Sequence, residues 1–234
     1  MRKGSFVGME YKRILAVGDI HGNFERLLSL YEKIEFDPAA DLLIFLGDYI
    51  DRGPDNLRVL DWVRQKSQEP NVIALRGNHE QMMLDYFQKQ PDGMMWRPNG
   101  GDATYREIKQ RLVWEPDCIR QYLAFLKQRP CSYAVDYEGQ PFFFCHAGVR
   151  SGIPLTEQSA SDLLWIRSEF YRGYSGDTMV IAGHTPVPML YPGQYEPIFR
   201  QNRILLDTGS FLPAGRISCV DVLTWKFWQS EDGR

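Results

Sequence analysis

The sequence predicts an α/β fold in a single domain, and three observations predict it. Short apolar runs alternate with helically spaced apolar residues through the first ninety residues, reading β-α-β-α-β-α. That rhythm implies a parallel sheet with covering helices. Each of the three runs ends in glycine and a polar cluster. Ligands of open α/β sheets sit at the carboxyl ends of the strands, so the three loops should converge. Finally, 234 residues at 44% hydrophobic and 24% charged suffice for one sizeable globular core.

The first strand is read in Ile14-Leu15-Ala16-Val17, which ends in Gly18-Asp19-Ile20-His21-Gly22-Asn23. Phe24, Leu27, Leu28, Tyr31 and Ile34 then fall at helical spacing, with Asn23 as the expected N-cap. Leu42 to Leu46 is too short for a helix and reads as a buried strand, ending in Gly47-Asp48-Tyr49-Ile50-Asp51-Arg52-Gly53-Pro54. Leu57, Leu60, Trp62 and Val63 give a second helix. Val72 to Leu75 leads into Arg76-Gly77-Asn78-His79-Glu80 and a third helical pattern through Phe87. Residues from about 91–130 break the rhythm: loop-like Pro91-Asp92-Gly93 and Arg97 to Gly101 precede helices over Thr104 to Val113 and Asp117 to Lys127. This stretch reads as a helical insertion beside the site, within one domain over 12–230 that follows a flexible leader over 1–11. Ser132 to Tyr137 and Phe142 to Cys145, joined at Glu138-Gly139, predict an antiparallel hairpin. Leu163 to Arg167 reads as helical. Met179 to Ala182 and Ile204 to Leu206 read as strands ending in Gly183-His184-Thr185-Pro186 and Asp207-Thr208-Gly209-Ser210, and Ile217 to Phe227 as the last strand.

A net charge of −3 argues against a nucleic-acid partner, which would demand a basic surface. No apolar run is long enough to span a bilayer, so no membrane partner is expected. The four cysteines lack paired spacing, and the N-terminus has no apolar signal region. Reduced thiols in a cytoplasmic protein are the expectation.

All four histidines, His21, His79, His146 and His184, stand just beyond strand-like runs and beside glycine. Any one alone would read as a hydrogen-bonded core residue. Four in equivalent places, with Asp19, Asp48 and Asn78, read as metal chemistry. Asp19, His21, Asp48, Asn78, His146 and His184 are six groups without a thiolate, more than one tetrahedral ion needs. They suit two ions such as manganese, iron or zinc with a shared carboxylate. Two ions about 3.5–4 Å apart can share a hydroxide and clamp an in-line displacement, which is the chemistry of phosphoester hydrolysis.

These motifs, in this order, resemble those of the phosphoprotein phosphatase family of calcineurin-like metallophosphoesterases, in its bacterial and phage branch. Asn99-Gly100-Gly101, Trp165-Ile166-Arg167 and Asp207-Thr208-Gly209 extend the likeness over roughly 13–228. The resemblance implies a metallophosphoesterase-type sandwich of two mixed β-sheets flanked by helices. It implies Asp19 and His21 on a first metal, Asp48 bridging, and Asn78, His146 and His184 on a second, with manganese foremost for the two divalent ions. It implies that His79 is a general acid rather than a ligand, that Asp51 orients it, and that Arg52 and Arg167 bind phosphoryl oxygens. The implied substrates are phosphoserine and phosphothreonine in proteins or peptides, with no regulatory subunit evident. The sister reading is a dinucleoside tetraphosphate hydrolase. Those members tend to carry Gly-Asn-His-Asp and to lack the acid before Arg-Gly, where this chain has Glu80 and Asp51. Glu80 is expected to support local structure and Trp96 and Tyr105 to pack. Asp207 is expected to form a turn or to stand behind a ligand.

Overall fold

Runs that are apolar at every position make strands only where both faces of the sheet are covered. The computed structural model describes residues 11–232; the inner strands of its sheets obey that condition while the edge strands are partly exposed, and there are ten strands in all among the described residues. They are β1 (Arg13–Val17), β2 (Asp41–Phe45), β3 (Val72–Ala74), β4 (Ser132–Tyr137), β5 (Gln140–Cys145), β6 (Met179–Ala182), β7 (Ile198–Arg200), β8 (Arg203–Leu205), β9 (Ser218–Asp221) and β10 (Phe227–Gln229). The helices are α1 (Phe24–Ile34), α2 (Asn56–Lys66), α3 (Asn78–Phe87), α4 (Asp102–Arg111), α5 (Cys118–Lys127), α6 (Ala160–Trp165), α7 (Ser168–Tyr171) and α8 (Val187–Leu190).

Two five-stranded mixed sheets result, ordered β10-β9-β1-β2-β3 and β4-β5-β6-β8-β7. In the first, β1, β2 and β3 are parallel and β9 runs antiparallel to β1. In the second, β5, β6 and β8 are parallel, with β4 and β7 antiparallel at the edges. Successive side chains of a strand point to opposite faces. Ile14, Ala16, Leu42 and Ile44 therefore meet Phe142, Phe144, Ile181 and Ile204 between the sheets. Leu15, Val17, Leu43 and Phe45 face outward onto Leu27 and Leu30 of α1, Leu57 and Leu60 of α2, and Met83 of α3. On the far side, Phe143, Cys145, Val180 and Ala182 pack against Leu163 and Phe170. The architecture is the expected α/β class: two mixed sheets face to face, with helices outside each.

The segment after α3 joins the first outer layer, where Ile108, Tyr122, Phe125 and Leu126 share one apolar cluster with α1 to α3. The β4–β5 hairpin forms as expected. Its turn residues, Glu138 at φ 51° and Gly139 at φ 82°, are both left-handed, the backbone a tight two-residue turn needs. No helix among the described residues is long and apolar enough to cross a membrane.

Several local expectations need correction. The expected last strand over Ile217 to Phe227 is two strands. Asp221 stops the first by taking the Leu223 amide and the Thr224 hydroxyl on its carboxylate, and Trp225 turns the chain at φ 63°. Helix α6 ends at Trp165, because Ile166 is extended at ψ 142°, so Arg167 lies between helices. Asn23 stands at the N-cap position of α1 as expected, its carbonyl accepting the Leu27 amide at 3.0 Å, but its side chain makes no capping bond; Nδ2 donates to the carbonyls of Ile20, His21 and Ser210 instead. The stretches read as loops form a 3-10 turn over Pro91–Met95 and a π turn over Arg97–Gly101. The expected leader lies outside the described residues except for Tyr11, which is buried among the inter-sheet residues.

Phe144 is fully buried between the sheets, whereas Trp114 is 87% exposed. Phe144→Ala should therefore lower the unfolding free energy by about 3–5 kcal/mol, and Trp114→Ala by less than about 0.5 kcal/mol, in chemical denaturation.

Candidate metal centre

The parallel strands deliver the polar loops to one place. His21 follows β1, Asp48 follows β2, Asn78 and His79 open α3 after β3, His146 follows β5, His184 follows β6 and Asp207 follows β8. Hydrogen bonds tie the loops to one another, both between the two sheets and within each. The His184 amide donates to both Asp19 oxygens at 3.2 Å. The His79 amide donates to Asp48 Oδ1 at 3.1 Å, and the Gly183 amide to the His146 carbonyl at 2.8 Å.

Backbone carbonyls fix the imidazole tautomers. His21 Nδ1 donates to the Ile50 carbonyl at 3.0 Å and His146 Nδ1 to the Leu46 carbonyl at 3.1 Å. Both Nε2 lone pairs are thereby left for the site. Two three-residue sets share Asp48: His21, Asp48 and His79, and Asp48, His146 and His184, each with its ligand atoms within 4.8 Å of one another. The two Asp48 oxygens divide between the sets. Oδ2 lies 3.6 Å from His21 Nε2, and Oδ1 lies 3.4 Å from His146 Nε2. Asn78 Oδ1 sits against the second set, 2.8 Å from His146 Nε2 and 2.9 Å from His184 Nδ1. Asp19 joins through the His184 amide rather than through either set. Arg52 donates to Nε2 of both His21, at 2.7 Å, and His79, at 3.0 Å. Arg167 is exposed at the rim, its Nη1 3.2 Å from Thr185 Oγ1.

Burial lowers the pKa of His21, His79 and His184, and takes His146 down to about 3. His21, His146 and His184 are therefore neutral lone-pair donors at neutral pH, whereas His79 has its Nδ1 committed to the Asp51 carboxylate. Burial raises Asp19, with Asp207 and Asp48 adding repulsion, and raises Asp48, with Glu80 adding repulsion. Burial likewise pushes Asp207 up to about 6. So many dry acceptors in one pocket are unfavourable without positive charge among them. Carboxylate, amide and imidazole donors with one carboxylate facing both halves fit a pair of divalent cations.

Comparison with known proteins agrees with this geometry. Residues 12–217 match the calcineurin-like phosphoesterase family. The chain belongs to that family. The serine/threonine-protein phosphatase 2 of Escherichia coli K12 is 46% identical over 181 residues, covering 74% of this chain and 76% of that protein. The protein of the same name from Salmonella typhimurium LT2 is 34% identical over 86% of this chain and 89% of its own. An asymmetrical bis(5'-nucleosyl)-tetraphosphatase of Anoxybacillus flavithermus is 26% identical, covering 82% and 84%. A crystal structure described provisionally as a diadenosine tetraphosphatase superposes with a TM-score of 0.70 at 18% identity, covering 95% of this chain and 94% of the other.

This metallophosphoesterase holds its loops with buried side chains that stand behind the site. Glu80 accepts the amides of Asp48, Tyr49 and Gly77, each at 2.8 Å, so one carboxylate staples the β2 and β3 loops together. Those amides favour its ionised form, while burial raises it to about 7. A side chain at Gly77 would meet Asp48 Oδ1 at 2.2 Å, so glycine is required there. Phe211, which no sequence motif flagged, supports the Arg52 guanidinium on its ring at 4.3 Å and stands edge-on to His21 at 5.3 Å. Asp51 accepts His79 Nδ1 at 2.6 Å, Trp96 Nε1 at 2.9 Å and the Thr104 hydroxyl at 2.6 Å. Burial raises it to about 7, against the pull of Thr104, Trp96 and Arg52. It does not cap α2. Asp207 accepts the Gly209 amide at 2.9 Å in its own turn.

Because each Asp48 oxygen faces a different set, Asp48→Asn should reduce metal content at both positions, read by elemental analysis of purified protein. Loss confined to one position would refute the shared carboxylate.

Proposed function

We propose that this enzyme is a metal-dependent phosphomonoesterase that hydrolyses phosphoserine and phosphothreonine in proteins or peptides, and that its ions are manganese. Asp19, His21 and Asp48 would hold one ion, and Asp48, Asn78, His146 and His184 the other. When bound, two such ions supply positive charge for the phosphoryl oxygens and make water acidic enough to attack near neutral pH.

The observation that carries this reading is the buried His79–Asp51 pair. A serine alkoxide leaves poorly, so its departure needs a proton donor. With Nδ1 committed to Asp51, His79 Nε2 is the ring atom that faces the site, 3.9 Å from Asp48 Oδ2. Asp51 steadies the ring and favours the charge it carries as an acid. Arg52 presents a planar fork that matches phosphoryl oxygens, and engaging them would draw it away from Nε2 of His79. Arg167 adds a second cation from the rim. Substrate preference is supported by Asp51 and Glu80 standing where tetraphosphate hydrolases tend to differ. The greater similarity to proteins named serine/threonine phosphatases than to the tetraphosphatase also supports it.

Manganese-loaded enzyme should cleave a phosphoserine peptide in preference to a phosphotyrosine peptide and to diadenosine tetraphosphate. Faster cleavage of the dinucleotide would overturn the assignment. His79→Asn should retain both ions yet lose about 10²–10⁴-fold in turnover of alkyl phosphates in steady-state assays. Unchanged turnover would remove His79 from the role of acid.

A further inference from the structure

Asp51 and Arg52 are consecutive residues at φ 77° and 70°, and neither is glycine. Local chain preference opposes that conformation, so something outside the loop must impose it. Four contacts from one short stretch of chain do so. Thr104 Oγ1 accepts the Asp51 amide at 3.1 Å and donates to Asp51 Oδ1 at 2.6 Å. Trp96 Nε1 donates to Asp51 Oδ2 at 2.9 Å, and the Gly100 carbonyl accepts the Arg52 amide at 3.2 Å. A side chain at Gly100 would meet Arg52 Cγ at 2.7 Å, so this approach also depends on glycine.

The two side-chain donors are themselves fixed. Trp96 and Thr104 have no exposed surface. The Trp96 ring is flanked by Tyr86 at 5.2 Å and Phe87 at 5.7 Å. One donor on each carboxylate oxygen sets the plane of Asp51, and that plane aims Oδ2 at His79 Nδ1.

We infer that residues 96–104 belong to the catalytic apparatus, with Trp96 and Thr104 as positioning residues that hold Asp51, and through it His79, for proton delivery to the leaving oxygen. The inference rests on His79 being the general acid. Buried and out of reach of substrate, Trp96 and Thr104 act only through Asp51. Were they merely packing, their loss would slow every substrate alike. As positioning residues, they matter in proportion to how much the leaving group needs a proton.

The test compares kcat/KM for a phosphoserine peptide and for 4-nitrophenyl phosphate, whose leaving group needs little protonation. Wild-type enzyme, Thr104→Val, Thr104→Ser, Trp96→Phe and His79→Asn are measured at saturating manganese, with metal content determined for each. The ratio of peptide to aryl kcat/KM should fall about 10–100-fold in Thr104→Val and Trp96→Phe and further in His79→Asn, while Thr104→Ser stays within about threefold of wild type. If His79→Asn shifts the ratio but Thr104→Val and Trp96→Phe lower both substrates equally or neither, the positioning role is overturned and the acid stands. If His79→Asn leaves the ratio unchanged, the acid itself is refuted, and the inference with it.

Discussion

A single buried carboxylate at the junction of the two sheets sets the terms for everything around it. Asp48 turns one oxygen toward His21 and the other toward His146, in a pocket that also holds Asp19 and Asp207. Like charges about 4 Å apart repel by about 1 kcal/mol in water, and by about 4 kcal/mol at the lower effective dielectric of a protein. Positive charge placed among these carboxylates relieves that repulsion. The family and the two histidine-aspartate sets point to two divalent ions. The rigidity of the site answers the same repulsion. The Glu80 staple and the bare Gly77 fix Asp48 from behind, so the carboxylate cannot turn away to find water.

The strain in the molecule is gathered at this point. Of the ten described non-glycine residues with left-handed φ, five are His21, Asp48, Asp51, Arg52 and His184. Each costs on the order of 1–3 kcal/mol and persists only where its surroundings over-determine it. The three apolar layers supply those surroundings. They fix six strand ends, and each loop then has a few residues in which to reverse direction and present a side chain. The arrangement also explains why the site is dry. Its buried polar residues sit directly above the inter-sheet core.

Where sequence and structure part company, the cause is a packing or hydrogen-bonding demand that the apolar pattern does not display, local in some places and distant in others. The pattern of apolar run, glycine and polar cluster is local, so the strands and the loops that carry His21, Asp48, His79, His146 and His184 could be read directly. Arg167 reads as helical because Leu163 to Ile166 look helical. The burial of Ile166 beside Phe170 in the outer core accompanies an extended backbone that no short window reveals. The C-terminal run looked continuous because its apolar residues mask Asp221, whose turn chemistry divides it. Trp96 and Thr104 carry no signal of their own. An aromatic and a threonine in a helical stretch read as packing until Asp51, some fifty residues earlier, is seen between them.

The kind of chemistry is legible in the chain alone: six metal-compatible side chains without a thiolate, each just past a strand, and an Asp-Arg pair beside them. Ligand type and position along a strand are properties of the chain. How these groups divide emerges only once the sheets pack: one Asp48 oxygen for each set, Asp19 tied in through the His184 amide, and Asp51 held by Trp96 and Thr104. Those relations depend on the direction of lone pairs and N–H bonds across two packed sheets. Directions in space are fixed when the layers close, not when the residues are strung together.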